Sequence, residues 1–419
     1  MVGRCRRSHR QASGLSPGRS AAPPSPSGPL SHITVLELTE DRGAFCGKLF
    51  ADLGARVVKV EAPGGDPTRR MGPFKDDVPH PEGSLRFASL NANKASLTLD
   101  ITCPAGRDVL LELVKAADIL LEDAAPGRLD ALGLATPDLE SANPRLIHVS
   151  ITGFGLAGPY RDFLAPELVA FAMGGLLNIS GDPALPPCVA PESQSYYVAS
   201  IHAAFGAMAA LYARDASGRG QLVEVSAQDC LAVQEHQISR YSQDGHVVQR
   251  EGSQHGGAAP GRIFPAADGF VHTFVTSSWP AFYDMMGRPE ELADPVWSDM
   301  WFRRANVDLL NPVVAAYTSA RGKDDLAGDG QARHIPVVPV NQAADLVKDR
   351  QLQAFDLFGS AGHSYLGEAF YLNAPYLLSA SPTRVRSGPP LLGQDTDAVL
   401  AAAGLTATAI AGLRSQGVL

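Results

Sequence analysis

Apolar and polar residues alternate through "HITVLEL" (32–38), recur at helical spacing through "GAFCGKLFADLGA" (43–55), and merge into a short β-branched run, "RVVKVEAP" (56–63). That order predicts strand, helix, strand. It repeats: "ASLTLDI" leads into "PAGRDVLLELVKAAD", where Pro104 stands near a helix start, and "ILLEDA" and "RLIHVSIT" supply two further strands. Strands alternating with helices at this spacing specify an α/β fold, with a Rossmann-like parallel sheet covered on both faces. Ligand sites in such sheets lie beyond the carboxyl ends of the strands. From about residue 166 the text becomes helical and rich in small residues, and the Ala-rich stretch from Val198 to Ala213 reads as a buried helix. It is too short, and too interrupted by Ser200 and His202, to be a membrane span.

Past residue 225 the pattern changes. "GGAAPGRIFPAADGFVHTFV" reads as a loop followed by a β-hairpin turning at Asp268-Gly269, and a helical stretch with tryptophan and charge comes next. The expected division is a tail over 1–30, a large domain over 31–225, a smaller α+β domain over 226–335, and a segment over 336–419 that returns to the large domain. The tail carries five arginines, several prolines and no acid, the composition of a disordered segment. Organelle targeting is the alternative reading of the same residues.

With 419 residues, 45% of them hydrophobic, the chain can bury a large core. Its formal charge of -9 argues against a nucleic-acid binder, which needs a basic face to displace counterions. The five cysteines are scattered without a C-x-x-C pair, so neither a zinc knuckle nor a disulfide framework is indicated, and a reducing cytoplasm fits. Gly153, Gly155 and Gly158 match G-x-G-x-x-G after a strand. Pro159 and the residues beyond it do not open the helix that a dinucleotide's pyrophosphate requires. The loop "EAPGGDPTRRMGPF" presents Arg69 and Arg70 at a strand's carboxyl end, where a ligand role and a solvated turn are both open. Lys94, alone before a strand, reads as a surface residue.

Six segments in sequence order carry a more specific signal: "LTEDRGAFCGKLFADLGARVVKVEAPGGDPTR", "LNANKASLTLD", "DILLEDAAPGRLDALGL", "NPRLIHVSITGFGLAGPY", "ASGRGQLVEVS" and "PPLLGQDTDAVL". In this order the chain, from about residue 31 to its end, resembles the family III CoA-transferases, the group of formyl-CoA transferase, carnitine CoA-transferase and α-methylacyl-CoA racemase. The resemblance implies a Rossmann-like large domain, a small domain, and two chains interlocked like links, either identical or homologous. It implies acyl-CoA and a free carboxylic acid as substrates, coenzyme A being bound in turn and no cofactor held permanently.

Carried over position by position, the resemblance puts Arg42, Leu99, Asp100, Ile101, Thr102 and Asp123 against coenzyme A. Ala62 and Ala131 stand where relatives hold arginines for its phosphates, with Arg69, Arg70 and Arg128 nearby. Glu167 takes the place of a polar or acidic active-site residue, and the pair Gly256 and Gly257 matches, in shortened form, a mobile loop over the activated intermediate. The nucleophile departs from the pattern. Transferases of this family use an aspartate, which is ionised at neutral pH and forms a reactive anhydride; here counting from both sides reaches Tyr196, whose pKa near 10 and unreactive esters do not suit the task. Glu192, one helical turn away, is the alternative. Three readings follow: a CoA-transferase, a non-catalytic subunit beside an aspartate-bearing homologue, and an acyl-CoA isomerase or racemase. The last lacks the histidine such racemases place beside the Glu167 position, where Pro166 stands here.

Overall fold

The structure, a computed structural model, describes residues 28–234 and 237–419; the segment read as a tail lies, up to residue 27, outside the described residues. Six strands form one parallel sheet: β1 (Thr34–Leu38), β2 (Arg56–Glu61), β3 (Ala95–Thr98), β4 (Ile119–Glu122), β5 (Ile147–Thr152) and β6 (Leu222–Ser226). Their order is β3-β2-β1-β4-β5-β6, so the chain winds outward in both directions from the junction of β1 and β4. A crevice opens where the winding reverses, which is where open α/β sheets bind ligands.

Two apolar layers cover the sheet. On one face Val35, Val57, Ile119, Val149 and Ile151 pack against the helix Ala44–Asp52 and the 24-residue helix Gln194–Ser217. On the other, Leu36, Val58, Leu97 and Leu120 meet the helix Pro104–Lys115 and the carboxyl-terminal helices Thr396–Ala402 and Ala407–Ser415. The last two helices of the chain thus cover the same sheet as its first strands. Before that return, β7 (Gly261–Ala266), β8 (Gly269–Phe274) and β9 (Val337–Pro339) form a three-stranded antiparallel sheet with its own core around Phe264, Trp279, Phe282 and Leu310. The hairpin turns on Ala267 and Asp268, one position before the pair expected, and β9 carries the small sheet past residue 335. A second hairpin, β10 (Phe358–His363) and β11 (Gly367–Leu372), packs on the helix Leu85–Asn91.

The long helix corrects one expectation. Its alanines at 199, 203, 207 and 210 do lie in the core, because only a side chain that small lets the helix sit close to the sheet. Its large apolar residues point the other way. Ile201, Phe205, Met208 and Tyr212 form an outward stripe, with Phe205 75% and Tyr212 83% exposed, so the helix is buried on one side only. Among the described residues no helix is long and apolar enough to cross a membrane.

Candidate active site

A cavity of about 630 Å³ lies at the carboxyl edge of β1 to β4. Its walls include Arg42, Leu99, Asp100, Ile101, Thr102, Asp123 and Tyr196, which come from four separate stretches of chain. Leu38, Val60, Leu99 and Ile101 give it an apolar side; Glu40, Asp41, Glu61, Asp66 and Arg128 give it charge.

The loop after β1 is held from β4. Asp123 accepts the amide of Glu40 at 2.9 Å and that of Gly43 at 3.0 Å. Burial pushes the Asp123 carboxyl up to about 7, against these two hydrogen bonds and the charge of Arg42. The two amides lower the cost of ionising it without cancelling the loss of water. Arg42 donates to the carbonyls of Asp123 (3.2 Å), Ile151 (3.4 Å) and Ala165 (3.3 Å), and its guanidinium lies 5.5 Å from the centre of the Tyr196 ring. Tyr196, in the first turn of the long helix, is buried and donates its hydroxyl to the Ala165 carbonyl at 3.2 Å. Burial pushes that hydroxyl above its usual range, so it is a neutral phenol at physiological pH. At the opposite rim Asp100 accepts the amide and hydroxyl of Thr102 at 2.9 and 2.6 Å, and these bonds hold its carboxyl below the usual range.

Ala62 and Arg128 also line this wall, whereas Glu167, Glu192, Gly256 and Gly257 lie outside it. Glu167 opens the helix Glu167–Met173 and accepts the amide of Ser195 at 3.3 Å. It therefore places a carboxylate at the amino end of the helix that carries Tyr196, where the helix dipole favours negative charge. Glu192 precedes that helix with a φ of 63°, its side chain 67% exposed and 3.9 Å from Arg86. Gly256 and Gly257 lie in the turn before β7, where the Gly257 amide bonds to the ring of His255 at 3.1 Å.

Two readings of basic residues change. Lys94 is not on the surface: its ammonium is fully buried, 2.8 Å from Glu37, and donates to the carbonyl of Ala44. The helix above tolerates this pair only because residue 47 is glycine; a Cβ there would stand 1.9 Å from a Glu37 oxygen. Arg69, offered by its position as a phosphate ligand, is buried in a fork on Glu61 (2.6 and 2.8 Å), reaches Glu82 at 2.8 Å, and lies over the Phe87 ring. Burial alone would raise the Glu61 carboxyl, but Arg69 holds it below its usual value. Arg70 and Arg128 remain exposed at this end of the sheet. The sequence reading missed Arg86, which grips Asp41 with two bonds of 2.8 and 2.7 Å and donates to Ser193, so tying the cavity's first loop to the start of the long helix. Its only trace in the sequence is one arginine at an apolar helix start.

A doubly wound sheet with an open, partly apolar cavity at its switch point defines a ligand-binding α/β domain of the kind that takes nucleotide-bearing molecules. The particular group follows from comparison: the family model for CoA-transferase family III matches residues 30–396, and the chain belongs to that family. A formyl-CoA:oxalate CoA-transferase of Streptomyces avermitilis is 33% identical over 93% of this chain and 99% of its own. The succinyl-CoA:(R)-benzylsuccinate CoA-transferase subunit BbsE of Thauera aromatica is 31% identical over 92% of this chain and 97% of its own. Among solved structures, a CAIB/BAIF family protein from Brucella suis superposes with a TM-score of 0.83 at 28% identity, over 90% of this chain and all of its own.

Proposed function

We propose that this protein is an acyl-CoA:carboxylate CoA-transferase, moving coenzyme A between a thioester and a free carboxylic acid. The observation that carries this reading is the single cavity that gathers Arg42, Leu99 to Thr102, Asp123 and Tyr196, all positions that the family resemblance assigns to the substrate. Its apolar side suits the pantetheine arm. Arg128 at the wall is a cation available to a phosphate, and with Arg69 committed to Glu61 and Glu82 the affinity for coenzyme A is modest.

A buried neutral phenol in the nucleophile's place does not support an acyl-enzyme at Tyr196. The chemistry closes without one. A carboxylate oxygen of the acceptor acid attacks the thioester carbonyl, a C–O bond forms, the C–S bond breaks, and coenzyme A leaves as thiolate. The thiolate then attacks the acceptor's carbonyl in the mixed anhydride, forming the new C–S bond and releasing the donor acid as carboxylate. No proton, electron or water is consumed.

A second reading, a supporting subunit in a heteromeric transferase, is favoured by two observations: Tyr196 itself, and a relative at 31% identity named as a subunit. The outward stripe of Ile201, Phe205, Met208 and Tyr212 suits a second chain in either case, identical or homologous, in the interlocked arrangement. No observation favours an isomerase.

The test is transfer of isotope from labelled formate, oxalate or succinate into thioester, with the purified chain and formyl-CoA or succinyl-CoA. Turnover in the isolated protein that survives Glu192→Gln supports direct transfer. Turnover abolished by Glu192→Gln, with a hydroxylamine-sensitive adduct on that residue, replaces it with covalent catalysis by Glu192. No turnover alone, but turnover together with an aspartate-bearing homologue, gives the subunit reading.

A further inference from the structure

The charge on Arg42 is not matched. Of the guanidinium's five N–H groups, the structure engages three, all on carbonyl oxygens at 3.2 to 3.4 Å; Nε is buried and has no acceptor. Asp123 gives Arg42 its carbonyl, but its carboxylate oxygens take the amides of Glu40 and Gly43 instead. Among the described residues no carboxylate forms an ion pair with Arg42.

Two other arginines in this protein show what the same group does when it is matched. Arg69 and Arg86 each use Nε and Nη2 as a fork, on Glu61 and Asp41 respectively, at 2.6 to 2.8 Å. Arg303, buried beneath Trp279 without an acid, is satisfied differently: four carbonyls at 2.6 to 3.0 Å take its Nε and both terminal nitrogens. Arg42 has neither arrangement. Its Nε is empty, Nη2 has a single long bond, and unlike Arg303 it lines a cavity. An unpaired buried N–H carries a desolvation penalty, larger on a charged group, and an acceptor arriving with the substrate would remove it.

We infer that Arg42 is the binding group for the carboxylate of the free acid substrate, which is taken on the Nε and Nη2 edge beside Tyr196 once the side chain turns to uncover Nε. The inference rests on the transferase reading, since it is the position of Tyr196 that makes this the acyl end of the cavity. It explains how an acid can be oriented for direct attack where Tyr196, and not a carboxylate, stands in the nucleophile's position. It also explains why a positive charge here need not belong to coenzyme A, whose phosphates lie at the Arg128 end in this reading.

The experiment is calorimetric titration of oxalate, succinate and acetate into the protein saturated with coenzyme A, with oxamide, succinamide and acetamide as uncharged counterparts. At least one acid binds and its amide does not. Arg42→Met weakens the acid by about tenfold or more, because a charged hydrogen-bonded pair is lost, and weakens the acid by a larger factor than it weakens coenzyme A, which keeps its other neighbours in the wall. Arg42→Lys, which keeps the charge but not the fork, weakens it by roughly threefold, and this variant decides the matter if Arg42→Met does not fold. The inference is overturned if no acid binds the wild-type complex, if the amides bind equally, or if Arg42→Met or Arg42→Lys keeps wild-type acid affinity. Failure of coenzyme A itself to bind would remove the transferase reading as well, whereas coenzyme A binding without acid binding removes only the role of Arg42.

Discussion

Replacing Lys94 with methionine should damage the protein far more than loss of a solitary lysine suggests. The Lys94 ammonium stands 2.8 Å from Glu37 Oε2 and 2.9 Å from Oε1, both side chains fully buried. Methionine fills much the same volume, so the change is one of charge. Glu37 keeps Thr39 at 2.9 Å and Lys59 at 3.4 Å on Oε1, but Oε2 then has nothing. Breaking a buried pair by removing one partner costs about 3–5 kcal/mol, and the surviving Lys59 contact puts this case near the lower end, at about 3 kcal/mol. For a domain of about 200 residues that corresponds to a fall in Tm of roughly 6–12 °C. Removing both charges, as Glu37→Leu with Lys94→Met, should recover part of the loss, since Lys59 retains Asp66 at 2.6 Å. Thermal unfolding monitored by circular dichroism measures both. A shift from Lys94→Met within about 0.5 kcal/mol, the size expected of a surface change, would refute the reasoning. So would a double variant less stable than the sum of the two single ones.

Two further outcomes follow from the same residues. Because burial raises the Asp123 carboxyl to about 7 from a usual value near 4, the folded chain holds a proton there that the unfolded chain releases. That contribution is full below about pH 4 and is lost as pH rises through about 7. The Tm of wild type minus that of Asp123→Asn should therefore shrink between pH 5 and pH 8, and a constant or growing difference would contradict it. On the long helix, Phe205→Glu puts a charge on a side chain 75% exposed in the single chain. If that stripe is covered by a second chain, sedimentation should show the variant as monomer or aggregate and the wild type as dimer; a wild-type monomer at micromolar concentration counts against the covered stripe.

The large sheet was readable because its signal is local. Each strand carries its own β-branched run, each helix its own spacing, and "HITVLEL", "RVVKVEAP" and "RLIHVSIT" all became strands of one sheet. Arg42, Leu99, Asp123 and Tyr196 were singled out through motif order alone, and it is the winding of the sheet that brings them to one cavity. What could not be read is pairing. Nothing in "LNANKASLTLD" says that Lys94 finds Glu37, 57 residues earlier, or that Arg69 turns inward to Glu61 and not outward to a phosphate. A charge's worth depends on the partner that folding supplies. The alanine stretch shows the same limit: its composition announced a buried helix, but the order of small and large residues around it left the large ones outside.

The central claim is that the cavity at the carboxyl edge of β1 to β4 holds coenzyme A. Ile101→Trp adds bulk to a half-buried wall residue without touching a charge or a hydrogen bond in the cavity. Calorimetric titration of coenzyme A into wild type and this variant, both checked for an unchanged Tm, is the direct measurement. The account predicts saturable binding to wild type and a loss of about tenfold or more in Ile101→Trp, since overpacking of 1–3 kcal/mol falls on the bound ligand. Equal binding by both proteins, or no binding by wild type, would contradict it.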